Sequence, residues 1–450
     1  MSTVDEPTDA ADAIAATPGD IATETEATEV VAVTPGPQDL PPDASLNEYV
    51  TAWWKRVRGG ESGALPVILG LIAIIIVFQI ERSRFLSAAN LVNLLQQSAE
   101  FIVLGMAEIF VLLLGEIDLS LGFSGAVGGA ATVILAYPPL NFGWAAAIAC
   151  GLAVGTAIGF AQGQIITRLR LPPFVVTLAG LLFWEGFLIW IINNQSPSNG
   201  GSIRILNHTI GSIVSGNLDI VVGWILLAVG VGLYALVTLT SAARRRASGL
   251  VAPPLSLTLL KVAAVAAGGV ALVAICSLNR SPFAGSTGAT LEGVPWVVPI
   301  VLILVVASTF LLERTRFGRY IYAIGGNREA ARRAGINVEW IRVMAYTLAG
   351  LMATAAIIIL DSYTGSATSD VNGGQLVLYG VAAAVIGGTS LLGGRGKMVH
   401  ALLGGLVIAT IYNGMGLLSL NADIQYMITA LVLLAAVTVD ALSRRGASSR

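Results

Sequence analysis

From Leu65 to Leu442 the chain alternates apolar runs of roughly 16 to 24 residues with short polar breaks. A helix of ~20 apolar residues crosses a hydrocarbon core of ~30 Å, so each run is long enough to span a membrane. The runs fall at about 65–80, 94–115, 119–137, 143–166, 174–192, 219–239, 257–277, 296–312, 342–360, 377–390, 399–418 and 424–441. They predict an all-α, polytopic integral membrane protein with about 12 transmembrane helices (10 to 12), some of them broken. The expected location is a cell membrane, inner or plasma.

Composition agrees with the pattern. Hydrophobic residues make up 55% of the 450 and charged residues 12%, which excludes an ordinary soluble domain. Charge then orients the threading. With the N-terminus inside, 4 of the 25 Lys and Arg fall outside (Arg82, Arg84, Arg204 and Arg280), leaving 25 − 4 = 21 on the inner side. Positive residues collect in cytoplasmic loops, so both termini are expected to be cytoplasmic and the number of spans even.

Residues 1–50 carry eleven Asp or Glu and no Lys or Arg, a composition that buries too little apolar surface to order itself. The organisation is therefore a disordered acidic cytoplasmic tail over 1–50, a membrane domain over 51–442 and a short cytoplasmic tail over 443–450. The first apolar run begins only after residue 64 and has no small-residue cleavage pattern behind it, so no cleavable signal peptide is expected. Cys150 and Cys276 lie inside apolar runs and are expected to be buried thiols.

No enzymatic constellation emerges. His208 and His400 lie in different segments, without a Cys or carboxylate at metal spacing, and fit loop or helix-end polar groups. "GGTSLLGGRGKMV" looks like a phosphate-binding loop but has Leu391 where the first Gly is needed and Met398 where a Ser or Thr would hold magnesium. The chain is expected to bind neither ATP nor any other cofactor itself, and its scattered basic residues give no nucleic-acid surface.

Polar groups within the apolar pattern are the informative exceptions. "LLLGEIDLSLGFSGAVGGA" (112–130) sets Glu116 and Asp118 between long apolar runs, with Ser120 close by. A carboxylate facing lipid at a helix centre costs about 2.5–3.5 kcal/mol, so a protein-lined or wet position is expected. On a regular helix two residues at i and i+2 point about 200° apart. Gly115, Ser120, Gly122 and Ser124 make a break or tight turn plausible, which would let both acids face one cavity. Two readings stay open: Glu116, Asp118 and Ser120 line a translocation path, or the acids are solvated turn residues at the cytoplasmic lip. Residues 380–397, "GVAAAVIGGTSLLGGRGK", are glycine-broken in the same way. Glu108 and Glu185 are single acids within spans, each able to cap or bond a neighbouring helix. Asn193, Asn194, Gln195, Ser196 and Asn199 read as a polar external loop, hydrated or, as the alternative, meeting a soluble partner.

"GGNREAARRAGI" (325–336) predicts a short cytoplasmic helix. Asn327 suits the N-cap, Glu329 the first turn, Arg332 and Arg333 the last, and Gly335 the C′ position. Glu329 and Arg333 form an acid-to-base pair of favourable orientation. Two turns are too few to persist alone in water, so something must hold the helix. Ala330, Ala331 and Ala334 form a small-residue face suited to close docking, the alternative being a surface turn lying against the membrane.

Four stretches in this order, "IDLSLG" (117–122), "TRLRLPPFVVTLAG" (167–180), "RTRFGRYIYAIGGNREAARRAGI" (314–336) and "VIGGTSLLGGRG" (385–396), resemble the signatures of ATP-binding-cassette sugar import permeases of the ribose and xylose type. The likeness runs from about Phe85 to Asp440, while the acidic tail departs from the short N-terminus usual there. Many such permeases have about ten spans. The additional segment around 243–261 is similar to the longer xylose subgroup, which makes xylose the first expected substrate and leaves other pentoses and hexoses open.

The resemblance implies a permease domain over 51–442 and a homodimer of this chain with a pathway along its twofold axis. It implies two cytoplasmic ATPase subunits carrying ATP and Mg, and an extracytoplasmic sugar-binding protein. It also implies that the segment from Gly326 through Asn327, Arg328, Glu329, Ala330, Ala331, Arg332, Arg333 and Ala334 to Gly335 is the coupling helix seated in the ATPase. The rivals are an ion-coupled secondary transporter, with Glu116 and Asp118 as its ion site, and a passive pore, which would need no docking helix.

Overall fold

The computed structural model describes residues 65–196, 200–249, 252–281 and 290–432, with isolated positions at 47, 48, 51, 52, 54, 434 and 438. The expected tails over 1–50 and 443–450 thus lie almost entirely outside the described residues. Long apolar runs become helices because hydrocarbon offers no partner to a backbone amide, and only a helix satisfies its own.

The spans in chain order are α1 (Leu65–Glu81), α2 (Ala88–Leu112), α3 (Leu121–Ala136), α4 (Trp144–Arg168) and α5 (Pro173–Gln195). The short helix α6 (His208–Ser215) follows, then α7 (Ile220–Ala247), α8 (Leu255–Cys276) and α9 (Val297–Arg314). Two non-spanning helices, α10 (Arg316–Gly326) and α11 (Arg328–Arg333), lead into α12 (Val338–Thr364), α13 (Gly373–Ile386) and α14 (Met398–Leu417). A last apolar helix, α15, covers Ala422–Val432.

Among the described residues eight helices are long and apolar enough to cross a membrane, and four shorter apolar ones bring the total to 8 + 4 = 12, as the hydropathy pattern predicts. The chain is a multi-pass, all-α membrane protein. The expected extra segment around 243–261 falls on the end of α7 and the start of α8, with Arg244, Arg245 and Arg246 in the last turn of α7.

Burial is unequal. Of the most apolar stretch, 78% is buried in α2 and 67% in both α12 and α14, against 6% in α7 and 11% in α8. α12 packs against α2, α3 and α4, while α14 packs on α2 and α13. The α4–α12 seam is made by glycines. Gly155, Gly159 and Gly163 recur every fourth residue on α4, and a Cβ on Gly159 would run into the Tyr346 carbonyl of α12, while Gly151 in the same row meets Thr132 and Gly128 of α3. Small residues at this period let two backbones approach, which is how helices associate where lipid is as apolar as Leu.

Two antiparallel strand pairs close one end of the helices. β1 (Ser202–Arg204) pairs with β4 (Ser366–Thr368), Ile203 opposite Ala367, and β2 (Asn217–Leu218) with β3 (Val294–Pro295). Arg280 pins the loop after α8 to this end, donating to Asn217 Oδ1 at 3.0 Å and to the Gly293 carbonyl at 3.1 Å. Burial pushes its guanidinium below its ordinary pKa.

One expectation fails here. Cys276 is buried but Cys150 is exposed on the outer face of α4. An apolar run in a membrane protein has apolar faces on both its core and lipid sides, so its sequence does not say which way a thiol turns.

Candidate functional site

The arginine-rich end gathers three segments: the 113–120 turn between α2 and α3, the α10–α11 region, and the 387–397 loop. α10 is placed by burying Gly318, Ile321 and Ile324 on one side, with Thr315 as its N-cap. The Tyr322 hydroxyl donates to the Gly396 carbonyl at 2.7 Å, and the Gly394 amide to the Leu113 carbonyl at 2.9 Å. Gly325 has no room for a side chain, since a Cβ there would strike the Leu113 carbonyl. Burial raises the Tyr322 phenol above its ordinary range, and Glu313 adds to the rise.

α11 ends as its sequence predicts. Asn327 Oδ1 accepts from the Ala330 amide at 2.9 Å. Arg333 Nε meets Glu329 Oε1 at 3.2 Å. Gly335 takes φ +80°, with Gly335 N donating to Arg332 O and Ile336 N to Ala331 O. This is a Schellman closure, which leaves few carbonyls open at the helix end.

The small-residue face divides, however. Ala331 is 4% exposed and joins the apolar core, whereas Ala330 and Ala334 are exposed with Arg332 and Arg333. The two turns are therefore held from inside the chain, by Ala331, by both caps and by an ion pair at Arg328. The persistence of so short a helix no longer requires an outside partner. What remains offered to one is a face of two small side chains flanked by two guanidinium groups.

The ion pair leads to the acidic turn. Glu116 Oε1 lies 3.0 Å from Arg328 Nη2 and 2.8 Å from Arg342 Nη2, and its Oε2 accepts from the Tyr346 hydroxyl at 3.1 Å. The Glu116 and Arg342 side chains are 7% and 10% exposed, Arg328 45%. One carboxylate thus joins the first residue of α11 to the first three turns of α12.

Asp118 faces elsewhere. Its Oδ1 accepts from the Ser120 amide at 2.9 Å and the Ser120 hydroxyl at 2.6 Å, and Gln162 of α4 donates to that hydroxyl at 2.7 Å. Asp118 Oδ2 has no hydrogen-bond partner among the described residues. Burial pushes this carboxyl up to about 6, against the lowering effect of the two Ser120 bonds.

Both acids thus sit in a turn at the arginine-rich end, and both are buried, Glu116 at 8% and Asp118 at 0% exposed. A solvated turn does not describe them. Glu108 lies in the buried part of α2 with no hydrogen-bond partner among the described residues. Asn193, Asn194 and Gln195 are exposed but form the last turn of α5 rather than a loop, and Ser196 is buried, while Asn199 lies outside the described residues. His208 is exposed, and His400 Nδ1 accepts from the Lys397 amide at 3.3 Å as a helix-start group. Beside α11 a cavity of about 700 Å³ is lined by Arg170, Arg328, Arg332, Glu339 and Arg342, with the 167–173 stretch as its far wall.

Sequence reasoning missed Arg342, Tyr346 and Gln162. Tyr346 and Arg342 share a face of α12 at i and i+4, a signal that could have been read, but nothing local links them to Glu116.

A sequence profile described as "Branched-chain amino acid transport system / permease component" matches residues 90–437. The chain belongs to this permease family. The xylose transport system permease protein of Escherichia coli (strain K12) is 34% identical over 385 residues, 84% of this chain and 92% of that protein. The ribose import permease protein of the same organism is 31% identical over 396 residues, covering 88% of this chain and 97% of that one. The fructose import permease protein of Rhizobium meliloti is 27% identical over 390 residues, 86% and 87% of the two chains. No solved structure matches. The likeness to ribose- and xylose-type import permeases drawn from four motifs thus holds across most of the chain.

Proposed function

We propose that this chain is the membrane-spanning subunit of an ATP-driven importer that moves a monosaccharide, xylose first among candidates, into the cytoplasm. It works as a homodimer above two cytoplasmic ATPase subunits, which bind the ATP and Mg, and receives sugar from an extracytoplasmic binding protein. The observation that carries the reading is α11, an anchored two-turn helix at the arginine-rich end whose Ala330–Ala334 face is open and whose first residue is ion-paired to Glu116.

In this reading ATPase closure moves α11, and Glu116 passes the displacement to α12 through Arg342 and Tyr346. An importer of this kind must bias two states through contacts that differ between them. The Glu116 pairing is such a contact, because its Arg328 arm is half open to solvent while its Arg342 arm is buried. Glu116, Asp118 and Ser120 then act at the inner gate of the path. An ion-coupled transporter would need these carboxylates as ion ligands. Glu116 is already engaged by two guanidinium groups and a phenol, which favours the ATP-driven reading.

The test is xylose uptake into proteoliposomes holding the chain with its ATPase and binding protein. Uptake should require ATP and survive an uncoupler. Uptake that ignores ATP and stops with the uncoupler would defeat the proposal. Ala330→Glu with Ala334→Glu should release the ATPase during purification while the chain stays monodisperse.

A further inference from the structure

The outer half of the membrane domain holds polar side chains that the inner machinery does not use. On α2, Asn93, Gln97 and Glu100 recur at i, i+4 and i+7 in a helix otherwise mostly buried and apolar, and all three are partly exposed. At ~1.5 Å per residue from Ala88 they lie ~8, ~14 and ~18 Å along the helix. Glu100 is therefore near the middle of the bilayer with part of its surface open. A carboxylate there is costly against lipid and marks a wet or protein-lined wall.

The amides are held in place rather than scattered. Gln97 Nε2 donates to the Tyr363 hydroxyl at 2.9 Å, and that hydroxyl donates to Asn93 Oδ1 at 3.0 Å. Asn413 Nδ2 donates to Gln97 Oε1 at 3.1 Å, and Asn90 Nδ2 to Asn413 Oδ1 at 2.9 Å. Next to them the Tyr412 ring packs edge-on against Phe101 at 5.7 Å and Tyr379 at 6.4 Å, and remains 39% exposed. Fixed amides, one carboxylate and an aromatic face together match a solute with a ring of hydroxyls and an apolar C–H face. That is the chemistry of a monosaccharide.

We propose that Asn93, Gln97 and Glu100 of α2, Tyr363 of α12 and Tyr412 of α14 form the sugar-contacting wall of the outer half of the translocation route. Hydroxyls exchange hydrogen bonds with the amides while the sugar ring lies against Tyr412, and the second copy of the chain supplies the facing wall. This rests on the importer reading above and adds the residues that meet the substrate.

The experiment places Gln97→Cys in a Cys150→Ser, Cys276→Ser background, assembled with its ATPase and binding protein, and treats it with a charged, water-borne methanethiosulfonate. The thiol should label, uptake should fall at least tenfold, and excess transported sugar should slow the labelling. A thiol that stays unlabelled in a complex that still imports sugar overturns the wall and leaves the importer reading standing. Labelling in a background that moves no sugar would instead support the wet wall and sink the importer reading. As a check independent of thiol chemistry, Tyr412→Ala should raise the half-saturating sugar concentration several-fold with ATP hydrolysis intact, and Tyr412→Phe should restore it. An unchanged half-saturation in Tyr412→Ala counts against the proposal.

Discussion

α2 and α12 on one side, and the α7–α8 hairpin on the other, are apolar helices of similar length with opposite surroundings. The first pair is mostly enclosed by protein and the second is mostly open to lipid. Their sequences differ where it matters. α2 and α12 carry Glu108, Asp361 and Tyr346 in buried positions, and α12 meets a glycine ladder. Within α7 and α8 the charged groups are Arg244, Arg245, Arg246 and Lys261, near the inner ends. Enclosure lets a span hold a polar group away from lipid: Tyr346 finds Glu116 there, while Glu108 stays buried with no hydrogen-bond partner among the described residues. The hairpin keeps its charged groups near one end, and the enclosed helices hold buried ones.

The largest break in this contrast should come from the glycines. Gly155→Leu would push its Cβ against Thr354 Oγ1 and to 2.9 Å from the Gly350 carbonyl. Overpacking of a tight core costs about 1–3 kcal/mol, and more where backbone is struck. Little monodisperse protein should be recovered. Gly230→Leu in α7, where no atom lies within 4 Å of the added Cβ, should be recovered at the wild-type level and melt within a degree or so of it. Equal loss in both would show that α7 is packed after all.

Second in size is Glu116→Gln, which leaves the Arg342 guanidinium, 10% exposed, without its counter-charge. Removing one partner of a buried pair costs on the order of 3 kcal/mol. Arg328→Gln, at the 45% exposed end of the same carboxylate, should cost under about 1 kcal/mol. A double-mutant cycle on thermal unfolding separates the two arms.

Asp118 gives a pH signature. Its folded pKa of about 6 lies above the ordinary 3.8, so the fold favours the protonated form. That stabilisation is complete below about 3.8 and is lost as pH rises through about 6. Against Asp118→Asn, wild type should therefore lose on the order of 2 kcal/mol between these limits, read as the difference of their melting curves. Parallel curves would place the titration elsewhere. The smallest effect belongs to the hairpin. Asp219 caps α7 by accepting from the Val221 amide at 2.8 Å at an exposed site, so Asp219→Ala should cost about 0.5–1 kcal/mol.

Most of the architecture was legible because it rests on local properties. Each apolar helix announces itself by its cost of transfer. Asn327, Glu329 and Gly335 cap α11 by bonds within nine residues. The G-x-x-x-G period of α4 was equally open to view and predicts a close seam, though not that α12 fills it. The functional site was only half legible. Asn327 to Gly335 could be picked out as a docking element, yet Ala331 turns inward while Ala330 and Ala334 turn outward. In six residues of helix nothing marks which alanine meets the core.

By itself the sequence determined that this chain is all-α and polytopic, where its apolar helices fall and where its short arginine-rich helix starts and stops. Those outcomes depend on transfer energies, charge and capping bonds between near neighbours. Tertiary structure alone decided which spans are enclosed, since an apolar face satisfies lipid and protein equally. It also decided that Glu116 meets Arg328 and Arg342, more than 200 residues away, because a carboxylate's partner is set by whichever helices close around it.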